Sequence, residues 1–282
     1  MSILNVSHLS HSYGGREIFE DVSFRLLKGE HVALVGANGE GKSTFLSIIT
    51  GQLTPDAGTV EWARRVKVGY LDQHAVLKPG MTIRDTLRTA FDDMVQAEQE
   101  MLAAYDKMGD ATPEEMDALM RDVGDIQDML EAGSYYTIDA RIEEVSGGLG
   151  LRDIGLDKKV DELSGGQRTK VLLTKLLLQN PEILILDEPT NYLDVEHINW
   201  LKNYLTNYEN AFILVSHDVP FLNVVTNVIY HVDNLHLDRY TGSYEKFEEM
   251  AALKRKQEEA AYERQQAEIK KEQDFIQRNK AR

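Results

Sequence analysis

The sequence predicts an α/β fold: a mostly parallel sheet flanked by helices, joined by a small antiparallel β subdomain and a helical subdomain. Three observations carry this. An apolar run over 31–35 enters a glycine-rich loop and is followed by a helix-favouring stretch from Lys42. Ile183-Leu184-Ile185-Leu186 is apolar at every position, as in a strand covered on both faces, and it ends in Asp187-Glu188. Across residues 163–236, apolar strands alternate with helical patterns, the arrangement that builds a parallel sheet.

The elements follow in order. Residues 1–30 alternate apolar and polar, with turn signals at Gly14-Gly15 and Lys28-Gly29, and predict short strands. The helix from Lys42 turns Phe45, Leu46, Ile48 and Ile49 inward and stops at Gly51. Pro55-Asp56-Ala57-Gly58 marks a turn, with strands expected over 59–62 and 66–71. Residues 83–132 read as helical, broken at Gly109-Asp110. In the second half Met116, Leu119, Val123, Ile126 and Leu130 form a narrow apolar stripe, started by Thr112 as cap and Pro113 at the first helical position. Two helices across a short turn make an inserted hairpin over about 92–132. Ser146-Gly147-Gly148 reads as a loop, and a helix is expected over about 168–179 with Ser164 as a plausible cap. From Ser243 to Arg282 the chain is charged and helix-favouring, without a glycine stop, as expected for part of a longer polypeptide.

Composition narrows the function. No cysteine is present, which excludes disulfides, thiolate metal sites and a cysteine nucleophile. The N-terminus lacks a signal-peptide layout, and no apolar run approaches the roughly 20 residues of a membrane span, so a cytoplasmic location is expected. The net charge of −16 argues against a nucleic-acid binder, but it is unevenly spread. Residues 92–131 are crowded with Asp and Glu and hold only Lys107 and Arg121 as cations, whereas 254–282 turn basic.

Gly36-Ala37-Asn38-Gly39-Glu40-Gly41-Lys42-Ser43, followed by Thr44, fits the P-loop pattern. Its glycines let backbone N–H groups turn around phosphate oxygens, and the helix that starts there adds its positive end. Lys42 is expected to reach the β- and γ-phosphates and Ser43 to ligate Mg²⁺. At the carboxyl end of the buried strand, where ligands bind in open α/β sheets, Asp187 is expected to serve Mg²⁺, either directly or through a bound water, and Glu188 is placed to polarise the attacking water. Leu163-Ser164-Gly165-Gly166-Gln167 precedes another helix and forms a second anion cradle.

The order of P-loop, Gln73, Leu-Ser-Gly-Gly-Gln, Asp187-Glu188 and His217 resembles the ABC ATPase family. The resemblance implies an ABC-type P-loop NTPase fold and several roles. Tyr13 stacks on adenine, and Gln73, within Tyr70-Leu71-Asp72-Gln73, serves the metal and the reaction. Asp194 closes the loop Asn191-Tyr192-Leu193-Asp194, and His217 is the switch histidine. It also implies that ATP is held between the P-loop of one module and residues 164–167 of another. One module alone therefore completes a site only with a second module or by homodimerising.

Two features are similar to the ABC-F family in particular, whose members are soluble twin-cassette ATPases acting on the ribosome. Residues 188–194 read Glu-Pro-Thr-Asn-Tyr-Leu-Asp, and Tyr240-Thr241-Gly242-Ser243-Tyr244 leads into the charged helix. The resemblance implies an ATPase domain over 1–238 with an arm at about 92–132, and the start of an interdomain linker over 239–282. It further implies contact with ribosomal RNA through the linker, and through the arm. Lys254, Arg255, Lys256, Arg264, Lys270, Lys271, Arg278 and Lys280 are the candidate phosphate contacts, although interleaved glutamates also allow a solvated, internally paired helix. The competing readings are the ATPase subunit of a membrane transporter and a non-catalytic nucleotide-gated scaffold; Glu188 with His217 disfavours the latter.

Overall fold

A computed structural model describes residues 2–71 and 77–280. The chain begins with β1 (Ser2–Tyr13) and β2 (Arg16–Leu27), paired antiparallel about Gly14-Gly15. Both glycines have positive φ, 56° and 88°, as a tight hairpin turn requires. The expectation of short strands is corrected here, because each strand runs 12 residues. Register shifts between Val6 and Leu9 and between Leu9 and His11 let so long a ribbon bend without breaking. β3 (His31–Val35) then leaves for a second sheet, α1 (Lys42–Ile49) follows, and β4 (Ala57–Trp62) returns to the free edge of β1. The antiparallel sheet has the order β2-β1-β4.

The second sheet is completed by β5 (Val68–Tyr70), β6 (Ile183–Asp187), β7 (Ala211–Val215), β8 (Val228–Asp233) and β9 (His236–Thr241). Its order is β5-β6-β7-β3-β8-β9, and only β9 runs antiparallel to its neighbour. Side chains alternate across it. Leu184, Leu186, Phe212 and Leu214 enter one hydrophobic cluster; Ile183, Ile185, Ala211 and Ile213 enter another. The antiparallel sheet and α1 close the second cluster. The first lies beneath α2 (Ile83–Arg88), α5 (Ile138–Gly148), α6 (Gly165–Gln179), α7 (Val195–Thr206) and α8 (Val219–Val225). Burial on both faces is why these strands are apolar throughout.

Two boundaries differ from the sequence reading. α6 starts at Gly165, with Ser164 at the N-cap, so both glycines fall in its first turn. Ser146-Gly147-Gly148 is the last turn of α5 and not a loop. The glycine there answers a packing demand, since a Cβ on Gly148 would lie 2.0 Å from the Trp200 ring.

α3 (Asp92–Met108) and α4 (Pro113–Ala132) form the expected hairpin. Thr112 accepts from the Glu115 N–H while Glu115 returns the bond to the Thr112 N–H, and Pro113 occupies the first turn. The hairpin has its own small core of Ala97, Met101, Ala104, Val123 and Leu130. Its base is tied down by Tyr135, whose hydroxyl donates to Glu98 at 2.6 Å, and by Arg88 paired with Asp139. At the other end of the chain, α9 (Tyr244–Lys280) projects as a charged helix. The domain boundary expected at 238 falls inside β9, and Tyr240, Phe247 and Ala251 still pack in the main core.

Because the hairpin core is separate, excising residues 92–132 across a short glycine bridge is expected to leave the sheet domain folded. Thermal unfolding followed by circular dichroism should keep one cooperative transition, shifted by no more than about 5 °C, a change of order 1 kcal/mol. A broad, early transition would show that the stripe supports the main core.

Candidate functional site

The carboxyl ends of β3, β6 and β7 converge on one cavity of about 400 Å³. Its walls include Tyr13, Asn38, Gly39, Gly41, Lys42, Ser43, Thr44, Asp187, Glu188 and His217. Residues far apart in sequence are thus brought together, although Gly36 and Glu40 of the same loop do not line this cavity. Arg16, Ile18 and Val215 also line it, and sequence reasoning missed them. For Arg16 a signal was available: it lies directly across the Gly14-Gly15 turn from Tyr13.

Backbone conformation shapes the loop after β3. Gly36 and Gly41 have φ of 154° and 108°. A Cβ on Gly36 would meet the Val232 carbonyl at 2.6 Å, and one on Gly41 would meet Ile18 Cγ2 at 2.4 Å. The Glu40 carboxylate accepts from the Ala37 N–H at 2.8 Å, so this acid braces the loop from within. α1 starts with no side-chain cap, which leaves its first N–H groups open to an anion. The buried Lys42 ammonium donates to the Gly36 and Ala37 carbonyls at 2.8 and 2.9 Å. These contacts hold a charge that could not be buried bare.

Opposite Lys42, Ser43 Oγ donates to Asp187 at 3.4 Å. Burial pushes the Asp187 carboxyl above its ordinary range, with the Ser43 hydroxyl and Lys42 acting against the shift. Glu188 follows at a left-handed φ of 47°, uncommon for a residue with a Cβ, and its N–H is pinned to the Val215 carbonyl at 2.9 Å. Its Oε1 lies 3.5 Å from His217 Nε2. Burial raises the Glu188 carboxyl too, and the nearby His217 opposes this.

The hydroxyl and carboxylate of Ser43 and Asp187 are hard oxygen donors that suit Mg²⁺, a metal usually held by one or two protein groups, waters and substrate phosphate oxygens. Among the described residues no cluster of three or more His, Cys, Asp or Glu could hold a metal ion. Gln73, also expected at the metal, lies outside the described residues.

The second cradle lies apart from this cavity. Ser164 accepts from the Gln167 N–H at 3.3 Å, and Gln167 Oε1 accepts from the Ser164 N–H at 3.0 Å. That reciprocal pair fixes the helix start, and Gly165 and Gly166 occupy the first turn, where N–H groups have no partner within the helix. Neither these residues nor Asp194 line the cavity. Asp194 caps α7 through the His197 N–H and pairs with the His197 ring at 2.6 Å, which holds its carboxyl below the usual range. The Tyr192 ring rests on Gly166, 3.0 Å from where a Cβ would stand.

The model of a family described as ABC transporter matches residues 19–191, and an extension model with the same description matches 230–282. The Bacillus subtilis protein named uncharacterized ABC transporter ATP-binding protein YfmM is 61% identical over all of this chain and 54% of its own length. The ABC transporter F family member 2 of Arabidopsis thaliana is 34% identical, covering 98% of this chain and 41% of that protein. The energy-dependent translational throttle protein EttA of Haemophilus influenzae is 31% identical, over 94% and 47%. The chain therefore spans about half the length of these curated relatives. A solved ATP-binding subunit of an ABC transporter superposes with a TM-score of 0.64 at 22% identity, over 89% of this chain and 94% of that one, which establishes the shared fold.

Gly41→Ala is expected to destabilise the domain by about 1–3 kcal/mol, since it adds positive-φ strain to a clash with Ile18. Urea unfolding of the two proteins side by side measures this; equal midpoints would mean that the loop relaxes freely.

Proposed function

Since the chain belongs to the ABC transporter family of ATPase domains, we propose that it is the nucleotide module of an ABC-F-type ATPase that acts on the ribosome. The observation that carries the ATPase part is the gathering of Lys42, Ser43, Asp187, Glu188 and His217 around one cavity, with Tyr13 at its rim. The ribosomal part is supported by relatives whose names specify the F family and a translational throttle. Among the described residues no helix is long and apolar enough to cross a membrane.

In this reading Tyr13 stacks on adenine, while Gly36, Asn38, Gly39, Glu40, Gly41 and Thr44 shape the phosphate cradle. Lys42 moves from the loop carbonyls to the β- and γ-phosphates. Ser43, Asp187 and Gln73 hold Mg²⁺, which when bound neutralises phosphate charge. Glu188 polarises the attacking water, oriented by His217, and its raised carboxyl keeps the proton affinity a base requires. Residues 1–238, with the arm at about 92–132, are the module and 239–282 the start of the linker, whose first part, through Ala251, still packs on the core of the module. Lys254 pairs with Asp238 where the helix leaves the domain, and the other basic residues of α9 face the RNA. The side chains of Arg278 and Lys280 lie outside the described residues. Residues 164–167 serve a nucleotide held by a second module, or by a second copy of this chain, with Asp194 between the two sites.

Glu188→Gln keeps the shape of the site but removes the carboxylate. Titration calorimetry should find ATP affinity retained, and steady-state phosphate release should fall by about 10²-fold or more. In the intact protein that carries this chain, the variant with ATP should co-sediment with ribosomes and not with membranes, because closure without hydrolysis blocks release. Sedimentation with membranes would favour the transporter-subunit reading.

A lone module supplies donors on one side of the γ-phosphate only. The isolated chain should bind MgATP as a monomer, and its specific activity should rise with protein concentration as symmetric dimers assemble composite sites. Ser164→Arg should abolish that activity without altering monomer ATP binding. Phosphate release across a dilution series, with mass from light scattering, decides the point; activity that is flat down to a proven monomer would refute the composite site.

A further inference from the structure

We propose that Arg16 contacts the nucleotide, binding the part of the phosphate chain that ATP and ADP share. The assignment rests on the ATP-site reading above and adds a cation to it. Tyr13 and Arg16 are opposed partners across the Gly14-Gly15 turn. Residues directly opposite in an antiparallel ribbon send their side chains to the same face. One hairpin tip therefore presents an aromatic ring and a guanidinium together, and both line the cavity whose far wall holds Lys42, Ser43, Asp187 and Glu188.

The guanidinium is poorly used within the chain. Its one hydrogen bond, from Nη2 to the Gly39 carbonyl, is long at 3.5 Å. Among the described residues it forms no ion pair, even though Glu17 and Glu40 border the adjoining cavity of about 200 Å³ with it. A guanidinium carries several N–H donors in a planar fork that matches phosphate oxygens. Arg16 thus offers uncommitted donors to an anion-binding cavity, beside the tip of the loop at Gly39.

Its place along the cavity selects the phosphates. Tyr13 marks the base end, and Lys42 with Ser43 and Asp187 marks the end where the terminal phosphate and its metal sit. Arg16 stands beside Tyr13 and Gly39, so a nucleotide stacked on Tyr13 passes its inner phosphates before reaching Lys42. The guanidinium is exposed, so removing it opens no hole in the core.

The test is titration calorimetry of ATP and of ADP against the unchanged protein, Arg16→Ala and Arg16→Lys, with thermal unfolding of each. Arg16→Ala should weaken both nucleotides by about tenfold, the range of a charge-assisted hydrogen bond, with its melting temperature unchanged. Arg16→Lys should recover part of the loss, because it restores charge but not the fork. Affinities within about twofold of the unchanged protein, or a loss confined to ATP, would overturn the assignment. If the unchanged protein fails to bind ATP, the ATP-site reading itself fails; if it binds and Arg16→Ala matches it, only the role of Arg16 is lost.

Discussion

Burial of the parallel sheet on both faces is the constraint from which the rest of the molecule follows. Strands β6, β7 and β3 carry apolar side chains above and below through their middles, where an unpartnered polar group would be costly. Chemistry is pushed to the ends of the strands. There the chain must turn, and turning exposes backbone N–H groups, helix starts and short polar side chains. Asp187 sits in register with Val215, and Glu188 hangs its N–H on that same residue. The site is placed wherever the sheet stops.

Opposite electrostatic burdens meet at that edge. Lys42 is buried and held on two carbonyls; Asp187 and Glu188 are partly buried, and both carboxyls are raised by desolvation. Both signs face one cavity. A ligand with an anionic chain and a divalent cation would satisfy both at once, as the proposed nucleotide reading requires. The left-handed backbone at Glu188 fits the same picture, since strain of this kind persists where the surroundings hold it in place.

The second cradle at the start of α6 is finished as a helix cap but not as a site. Ser164 and Gln167 satisfy each other, and the cavity is elsewhere. The two regions are nevertheless joined within the chain. The loop that leaves Glu188 carries Tyr192 onto Gly166 and then ends in Asp194 at the cap of α7. A ring and a glycine are thus in direct contact between that loop and the cradle.

Much of this was legible in the sequence because local chemistry determined it. The glycine spacing at 36–41, the four apolar residues before Asp187, the cap at Thr112 and the cap at Ser164 each depend on a few neighbouring residues, and each appears where expected. Other features depend on partners distant in sequence. Gly148 lacks a side chain where Trp200 packs against it, while Arg16 and Val215 reach the cavity through pairing across a hairpin and a sheet. The bent, long strands β1 and β2 are likewise a product of pairing, since isolated alternation shows a strand but not where its partner stops it. The sequence by itself therefore determined the local elements that carry the candidate site residues: the glycine loop, the apolar strand before Asp187 and the capped helix starts. Tertiary structure alone decided which of them share a cavity and which are kept apart, because that depends on strand order and close packing, which no short stretch of chain contains.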